Sequence, residues 1–396
     1  MLSVREAIRQ RRSVRAFQAR DVPDARLREI FSPARKSHAT TTRPQRSQQA
    51  MSINSTLKFA AIALALGATV PAAALNIVVT NDDGCEASTV HALYQRLRAA
   101  GHQVIISASM TDQSGQGGAL AFLRPITPLT APSRGGNLPA GTAGVATLAG
   151  VPTIDYGARV FCVNSTPVAA TLHALDVAAT AVFGAPADLV ISGPNYGNNT
   201  GLINNGSGTV NAALIAVNRG FAAIAVSAAT PASYRAFNAL SPSSLEYEHA
   251  DLVVSLVDKL VRNSHQGDRG LMPAGHAMNV NFPRYELGQS GSLRWRMADE
   301  GTAAVAAPFF VMDLSTSSTA QSVGLGNMRL PGVSVNIVGR EDPAAAGLRF
   351  VTDADPSSEQ NVVAGGEIAV SVIRGNHQAP AQVKALVRSR LHGLVR

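Results

Sequence analysis

From Leu75 onward the chain alternates two hydrophobic rhythms. Short runs of consecutive apolar, largely β-branched residues end in turn signals, and stretches with apolar residues three and four positions apart separate them. Residues 75–80, 103–107, 188–192 and 222–227 are runs of the first kind, as expected of strands buried on both faces. Between them, Val90, Leu93, Tyr94 and Leu97 recur at helical spacing before Gly101, and Val210, Ala213, Leu214 and Val217 do so within 209–218. This alternation predicts an α/β fold with a Rossmann-like, three-layer core around a parallel sheet, spanning 75–235. Past residue 235 the rhythm changes. Ser243-Ser244-Leu245-Glu246 has the form of a capping box, opening a helix with Leu252, Val253, Leu256, Val257 and Leu260 on one face. A strand is expected over 278–283. Residues 292–373 are strand-like and Gly-rich, clearest at 333–338 and 367–373, so 236–396 reads as a helix plus a β-rich extension with long hairpins.

Charge first suggests a nucleic-acid binder, with +8 at neutral pH over 396 residues, but its distribution removes the suggestion. The first fifty residues hold twelve basic and four acidic side chains, which is the whole excess. The remaining body is neutral, so no basic face for a polymer is implied. Only Cys85 and Cys162 are present, too few for a disulfide scaffold or a cysteine zinc site. One bridge in an oxidising compartment and two buried thiols both remain open readings.

Met51-Ser-Ile-Asn-Ser-Thr-Leu-Lys58 precedes an apolar run from Phe59 to Val70 and then Pro71-Ala-Ala-Ala74. This is the pattern of a secretory signal peptide over 51–74 with cleavage near Ala74, and the run is too short for a stable membrane anchor. Export to the periplasm or medium is expected, with a cytoplasmic location instead if residues 1–50 are truly part of the protein. Within those fifty, Val4-Arg5-Glu6-Ala7-Ile8 and Arg11-Arg12-Ser13-Val14-Arg15 resemble the opening of nitroreductase-family flavoproteins up to about Phe31, too short a piece to complete a flavin fold. Residues 32–50 read as disordered. Translation starting at Met51 would make residues 1–50 an upstream extension.

Four polar segments fall where ligands bind a parallel α/β sheet, beyond the carboxyl ends of its strands. Asn81-Asp82-Asp83-Gly84 sets two carboxylates side by side. They repel unless a cation joins them, and a hard divalent ion suits, although an Asp turn capping a helix reads the same way. Ser114, in the loop 112–118, and Asn195, in 192–199, supply neutral oxygens. Ser207-Gly208-Thr209 opens a helix, either as a phosphate cradle of backbone N–H groups or as a plain cap.

Taken in order, Asn-Asp-Asp-Gly at 81–84, Gln-Ser-Gly at 113–115, Asn-Ser-Thr-Pro at 164–167, the stretch 188–195 and Ser-Gly-Thr-Val at 207–210 resemble the SurE family of metal-dependent 5′-nucleotidases and phosphatases. Weaker matches at 279–283 and 368–372 extend the likeness over most of 75–375. The resemblance implies one Mg²⁺ or Mn²⁺ per subunit on Asp82, Asp83, Ser114 and Asn195. It also implies phosphate contacts from Asn81, Asn195, Ser207, Gly208 and Thr209, and a homodimer or homotetramer. The implied reaction is hydrolysis of a nucleoside monophosphate by metal-activated water, with Asp82 or Asp83 taking the proton. Cys85 and Pro194 depart from the commoner family residues, and Thr166-Pro167-Val168 resembles an exported, acid-phosphatase-like branch, which leaves the substrate open. A covalent aspartyl-phosphate is disfavoured because adjacent side chains diverge. No His-Glu-x-x-His, Gly-x-Ser-x-Gly or Gly-x-Gly-x-x-Gly pattern supports a zinc peptidase, serine hydrolase or dinucleotide enzyme. His173, on an apolar helix, reads as structural. A competing class is an exported protein that binds a phosphorylated ligand without turning it over.

Overall fold

Burial on both sides makes the run after Asn76 an interior strand of the sheet. The strands are β1 (Asn76–Thr80), β2 (Gln103–Ser109), β3 (Val145–Thr147), β4 (Val160–Val163), β5 (Leu189–Tyr196) and β6 (Ala222–Ala228), followed by β7 (His276–Phe282), β8 (Trp295–Met297), β9 (Ala306–Val311), β10 (Gly332–Ile337) and β11 (Ile368–Arg374). The helices are α1 (Ser88–Ala99), α2 (Pro167–His173), α3 (Ala179–Phe183), α4 (Gly208–Asn218), α5 (Leu245–Asn263), α6 (Ser318–Ser322), α7 (Glu359–Ala364) and α8 (Ala381–Arg390). The structure, a computed structural model, describes residues 74–148, 158–229, 234–264 and 270–392, all in the unit Thr69–Arg396. Residues 1–73, and with them the nitroreductase-like stretch and nearly all of the expected signal peptide, lie outside the described residues. No helix among the described residues is long and apolar enough to cross a membrane.

The main sheet runs β3-β4-β2-β1-β5-β6-β7-β11-β8. From β4 to β7 the pairs are parallel; β3 and β11 join antiparallel, and β8 lies parallel to β11 at the edge. Alternate residues feed two cores. Ile77 and Val79 face the layer of α1 and α5, against Leu93, Leu97, Val253 and Val257. Val78 faces the other layer, against Leu175, Val210, Ala213 and Val217 of the α2–α4 side. The fold is therefore three-layered α/β, as the hydrophobic rhythm predicts. Each Val, Leu or Ile among them contributes about 1.5–3 kcal/mol on burial.

Two details differ from the sequence reading, and a third decides between alternatives it leaves open. The strands β7, β11 and β8 extend the main sheet, whereas β9 and β10 alone make a separate antiparallel ribbon with its own small core at Phe309, Val311 and Ala345. The expected capping box does not form: Ser244 is the cap residue, and its hydroxyl accepts from Ser241 N rather than from a helical N–H. Glu246 has stronger partners, a bidentate contact from the Arg235 guanidinium (2.5 and 2.6 Å) and the Ser88 hydroxyl at 2.7 Å. Lastly, the two cysteines are joined, Cys85 to Cys162, tying the loop after β1 to β4.

From β1 the chain winds outward through β2 to β4, then returns to the opposite side of β1 as β5 and continues through β6 to β7. The connections after β1 and β5 thus leave in opposite directions, which opens a crevice at their carboxyl ends.

Candidate active site

The loop after β1 sits in that crevice and is held on several sides. Gly84 has φ +114°, open to glycine alone without strain, and lets the chain reverse against β2, where Cys85 N donates to Ser109 O at 2.7 Å. The bridge to Cys162 fixes the same residue covalently. His91 Nε2 donates to Cys85 O at 2.7 Å, and burial holds this imidazole down at about 4.

Both carboxylates are buried, 3% exposed at Asp82 and 6% at Asp83. Asp82 Oδ1 accepts from the Thr209 hydroxyl at 2.8 Å. Asp83 Oδ2 accepts from Asn81 Nδ2 (2.8 Å) and from Tyr196 N (2.9 Å) at the end of β5. Burial pushes Asp82 up, against the opposing pull of Thr209. Burial and then the charge of Asp82 push Asp83 up further. The other charged group acting on both is also an acid, Asp112, and among the described residues neither Asp82 nor Asp83 pairs with a basic side chain.

Asn195 completes one side. Its Nδ2 donates to the carbonyls of Tyr196 (3.2 Å) and Gly197 (2.8 Å), leaving Oδ1 buried with no partner. A register shift between Ser192 and Asn195 in the pairing with β6 bends this strand end. Gly193 makes the bend possible: a Cβ there would lie 2.1 Å from Val226 O, and φ is +109°. The hydroxyl oxygens of Ser109, at the end of β2, and of Ser192, on β5 itself, are likewise buried and unpartnered. Two buried carboxylates and an orphaned amide oxygen suit a hard divalent cation, which prefers oxygen donors. Among the described residues no three His, Cys, Asp or Glu side chains cluster for a metal.

The remaining expected site residues take distinct positions. Gln113 N donates to Asp82 O at 2.9 Å and ties the loop 112–118 to the acidic loop. Ser114, next in sequence, is solvent-exposed, and its N–H goes to Asp112 Oδ1 at 2.9 Å. Ser207 caps α4, its hydroxyl accepting from Val210 N at 3.1 Å. Thr209 is fully buried and holds Asp82. Gly208 lies against Asp82, so that a Cβ there would meet the Asp82 side chain at 2.7 Å. The helix start is therefore seated on the acidic loop. His173 lies apart, its Nδ1 at 3.0 Å from Ser107 Oγ and its ring near Phe161.

Several contributors escaped the sequence reading. The Tyr196 hydroxyl meets Ser88 Oγ at 2.5 Å, joining Asp83 to the Ser88–Glu246–Arg235 network; burial pushes this phenol up to about 12. Glu86, Arg134 and Tyr234 lie along the same rim. No motif marks them, because Glu86 meets its backbone partners 49 and 51 positions away and Arg134 meets Tyr234 from an irregular segment.

The family model described as "Survival protein SurE" matches residues 77–304. The chain is 32% identical over 209 residues to an acid phosphatase of Yarrowia lipolytica, covering 52% of this chain and 56% of that protein. It is 31% identical over 213 residues to the 5′-nucleotidase SurE of Lawsonia intracellularis, covering 54% and 68%. The chain thus spans little more than half of one curated relative and about two thirds of the other. Among solved structures, the SurE protein from Aquifex aeolicus matches with a TM-score of 0.52 at 19% identity, over 80% of this chain and 99% of that one, a likeness of fold.

Proposed function

The chain belongs to the SurE family, and from that premise we propose that it is a divalent-metal-dependent phosphomonoesterase acting on 5′-nucleoside monophosphates. One observation carries the reading: Asp82, Asp83 and the unpartnered Asn195 Oδ1 are buried together at the switch point, and burial and mutual repulsion raise the pKa of Asp83. Asp82, Asp83 and Asn195 would hold the cation, with Ser114 from the adjoining loop as the fourth donor. Bound there, a Mg²⁺ or Mn²⁺ ion supplies charge neutralisation for phosphoryl oxygens and acidifies water.

The chain's own groups do the rest. Thr209 fixes Asp82 through Oδ1, so that its orientation does not depend on the substrate. Asp83 is held through Oδ2 by Asn81 and Tyr196, which leaves Oδ1 to take the proton of the attacking water. The Gly208 N–H, at the positive end of α4, would hold a non-bridging phosphate oxygen, while Ser207 keeps the cap closed. Fixed donors of this kind stabilise charge where it develops in the transition state.

Export through the segment 51–74 is part of the proposal, and the Cys85–Cys162 bridge agrees with an oxidising compartment. Assembly into a homodimer or homotetramer is also proposed, favoured by Phe310 and Met312, which stand exposed on and beside the β9–β10 ribbon. The test is phosphate release from a panel of a nucleoside monophosphate, glycerol 2-phosphate and polyphosphate. We expect release with Mg²⁺ or Mn²⁺ that a chelator abolishes. Ligand binding without any release would instead favour the binding-protein reading.

A further inference from the structure

The segment 120–144 is irregular and carries no recognisable base-binding pattern, yet the structure brings one of its turns to the acidic site. Ser133 and Leu138 close the turn by backbone and side-chain hydrogen bonds (2.9 and 3.1 Å). The buried carboxylate of Glu86, three residues past Asp83, accepts from Gly135 N at 3.1 Å and Asn137 N at 2.9 Å. Gly135 permits this close approach, since a Cβ there would stand 2.8 Å from the Glu86 carboxyl carbon and displace it. Glu86 therefore fixes where residue 134 emerges.

Arg134 emerges over Tyr234, its guanidinium carbon 4.2 Å from the ring centroid, while Nη1 pairs with Asp112 Oδ2 at 3.0 Å. Tyr234 in turn tilts against Tyr196, with centroids 6.0 Å apart. The stack is anchored to the site from both sides. Tyr196 N donates to Asp83, and Asp112 precedes Gln113, whose N–H donates to the Asp82 carbonyl. Arg134 nonetheless leaves 46% of its side chain open to solvent. A guanidinium with one face on an aromatic ring and an open side is a surface on which a planar π-system stacks, and it still has N–H donors to offer.

We propose that the Arg134–Tyr234 stack is the leaving-group platform of this site, favouring phosphomonoesters whose leaving group carries a planar aromatic ring, such as a nucleobase, over aliphatic ones. This rests on the phosphomonoesterase reading above. Glu86 is its positioning residue, and Tyr196 links the platform to the reacting centre.

Two measurements on the full chain test it. The first is the ratio of kcat/KM for AMP to kcat/KM for glycerol 2-phosphate, in wild type, Arg134→Ala and Tyr234→Leu. Stacking of a base is worth a factor of about ten or more, so the ratio should fall about tenfold in both variants. A ratio unchanged within twofold overturns the platform. The second is equilibrium binding of adenosine in the presence of chelator, where the Kd should rise about tenfold in Arg134→Ala; an unchanged Kd overturns the proposal. If wild type released no phosphate from either substrate, the phosphatase reading would fall, and adenosine binding would still decide the platform.

Discussion

Two sets of buried carboxylates lie toward the carboxyl ends of the sheet, and they are built in opposite ways. Glu359, at the start of α7, is fully buried and amply supplied with donors. Its Oε1 takes Asn279 Nδ2 (2.8 Å) and the Ser371 hydroxyl, and its Oε2 takes Gly201 N (2.9 Å) and Asn204 Nδ2 (3.1 Å). Burial raises its pKa and these four donors oppose the rise. Asp82 and Asp83 are two charges side by side, both contacts of Asp83 fall on one oxygen, and the neighbouring Asn195 Oδ1 adds a further acceptor without a donor. The contrast separates two uses of a buried carboxylate. One that is satisfied by neutral donors ties segments together, here the stretch 198–207 to β7, α7 and β11. A pair left short of donors is a place for a cation.

The largest expected effect follows from removing one acid of the pair. Asp82→Asn should lower metal-dependent turnover about a thousandfold, near 4 kcal/mol of transition-state stabilisation, with circular dichroism and thermal midpoint retained. Turnover within tenfold of wild type would break the contrast at once. Glu359→Ala should do the reverse. It removes the acceptor of the Gly201 N–H and one of the two acceptors of Asn279 Nδ2 and of Asn204 Nδ2, and should cost about 3 kcal/mol in urea unfolding, while Glu359→Gln costs less. Added Mn²⁺ sharpens the difference: at a hundred times its Kd it should stabilise wild type and Glu359→Gln by about 2.7 kcal/mol, and Asp82→Asn far less.

The smallest effect concerns pH. His91 and His249 are held down at about 4 by burial, so between about 6.5 and 4 the unfolded chain binds protons that the folded chain does not. Stability should therefore fall as pH drops through that window. His249→Phe should recover about 1 kcal/mol at pH 5.5, since this ring lies between Phe282 and Tyr285 and its Nδ1 has no partner. Glu359 runs the other way: its raised pKa means that its contribution is present at low pH and is lost as pH rises through the folded value.

Much of the fold and part of the site were legible because they rest on local signals. The apolar runs at 76–80 and 222–227 fix β1 and β6 by their own composition, and a pair of aspartates directly after such a run has few other places to be. Thr209 was legible as part of a helix start but not as the residue that holds Asp82, since that contact spans 127 positions. The same holds for the bridge between Cys85 and Cys162, 77 apart, and for Glu86, whose partners are the backbone N–H groups of a turn without regular structure. Glu246 misled for a related reason. Its spacing from Ser243 is that of a capping box, and a guanidinium outcompetes a single backbone N–H for a carboxylate.

The central claim, that the switch-point loop is a divalent-cation site, is tested most directly by titrating the purified chain with Mn²⁺ and counting bound ions by electron paramagnetic resonance. The account predicts one Mn²⁺ per chain, lost in Asp83→Asn and weakened in Asn195→Ala, with Glu359→Gln unchanged. Equal binding by wild type and Asp83→Asn, or none by wild type, would contradict it.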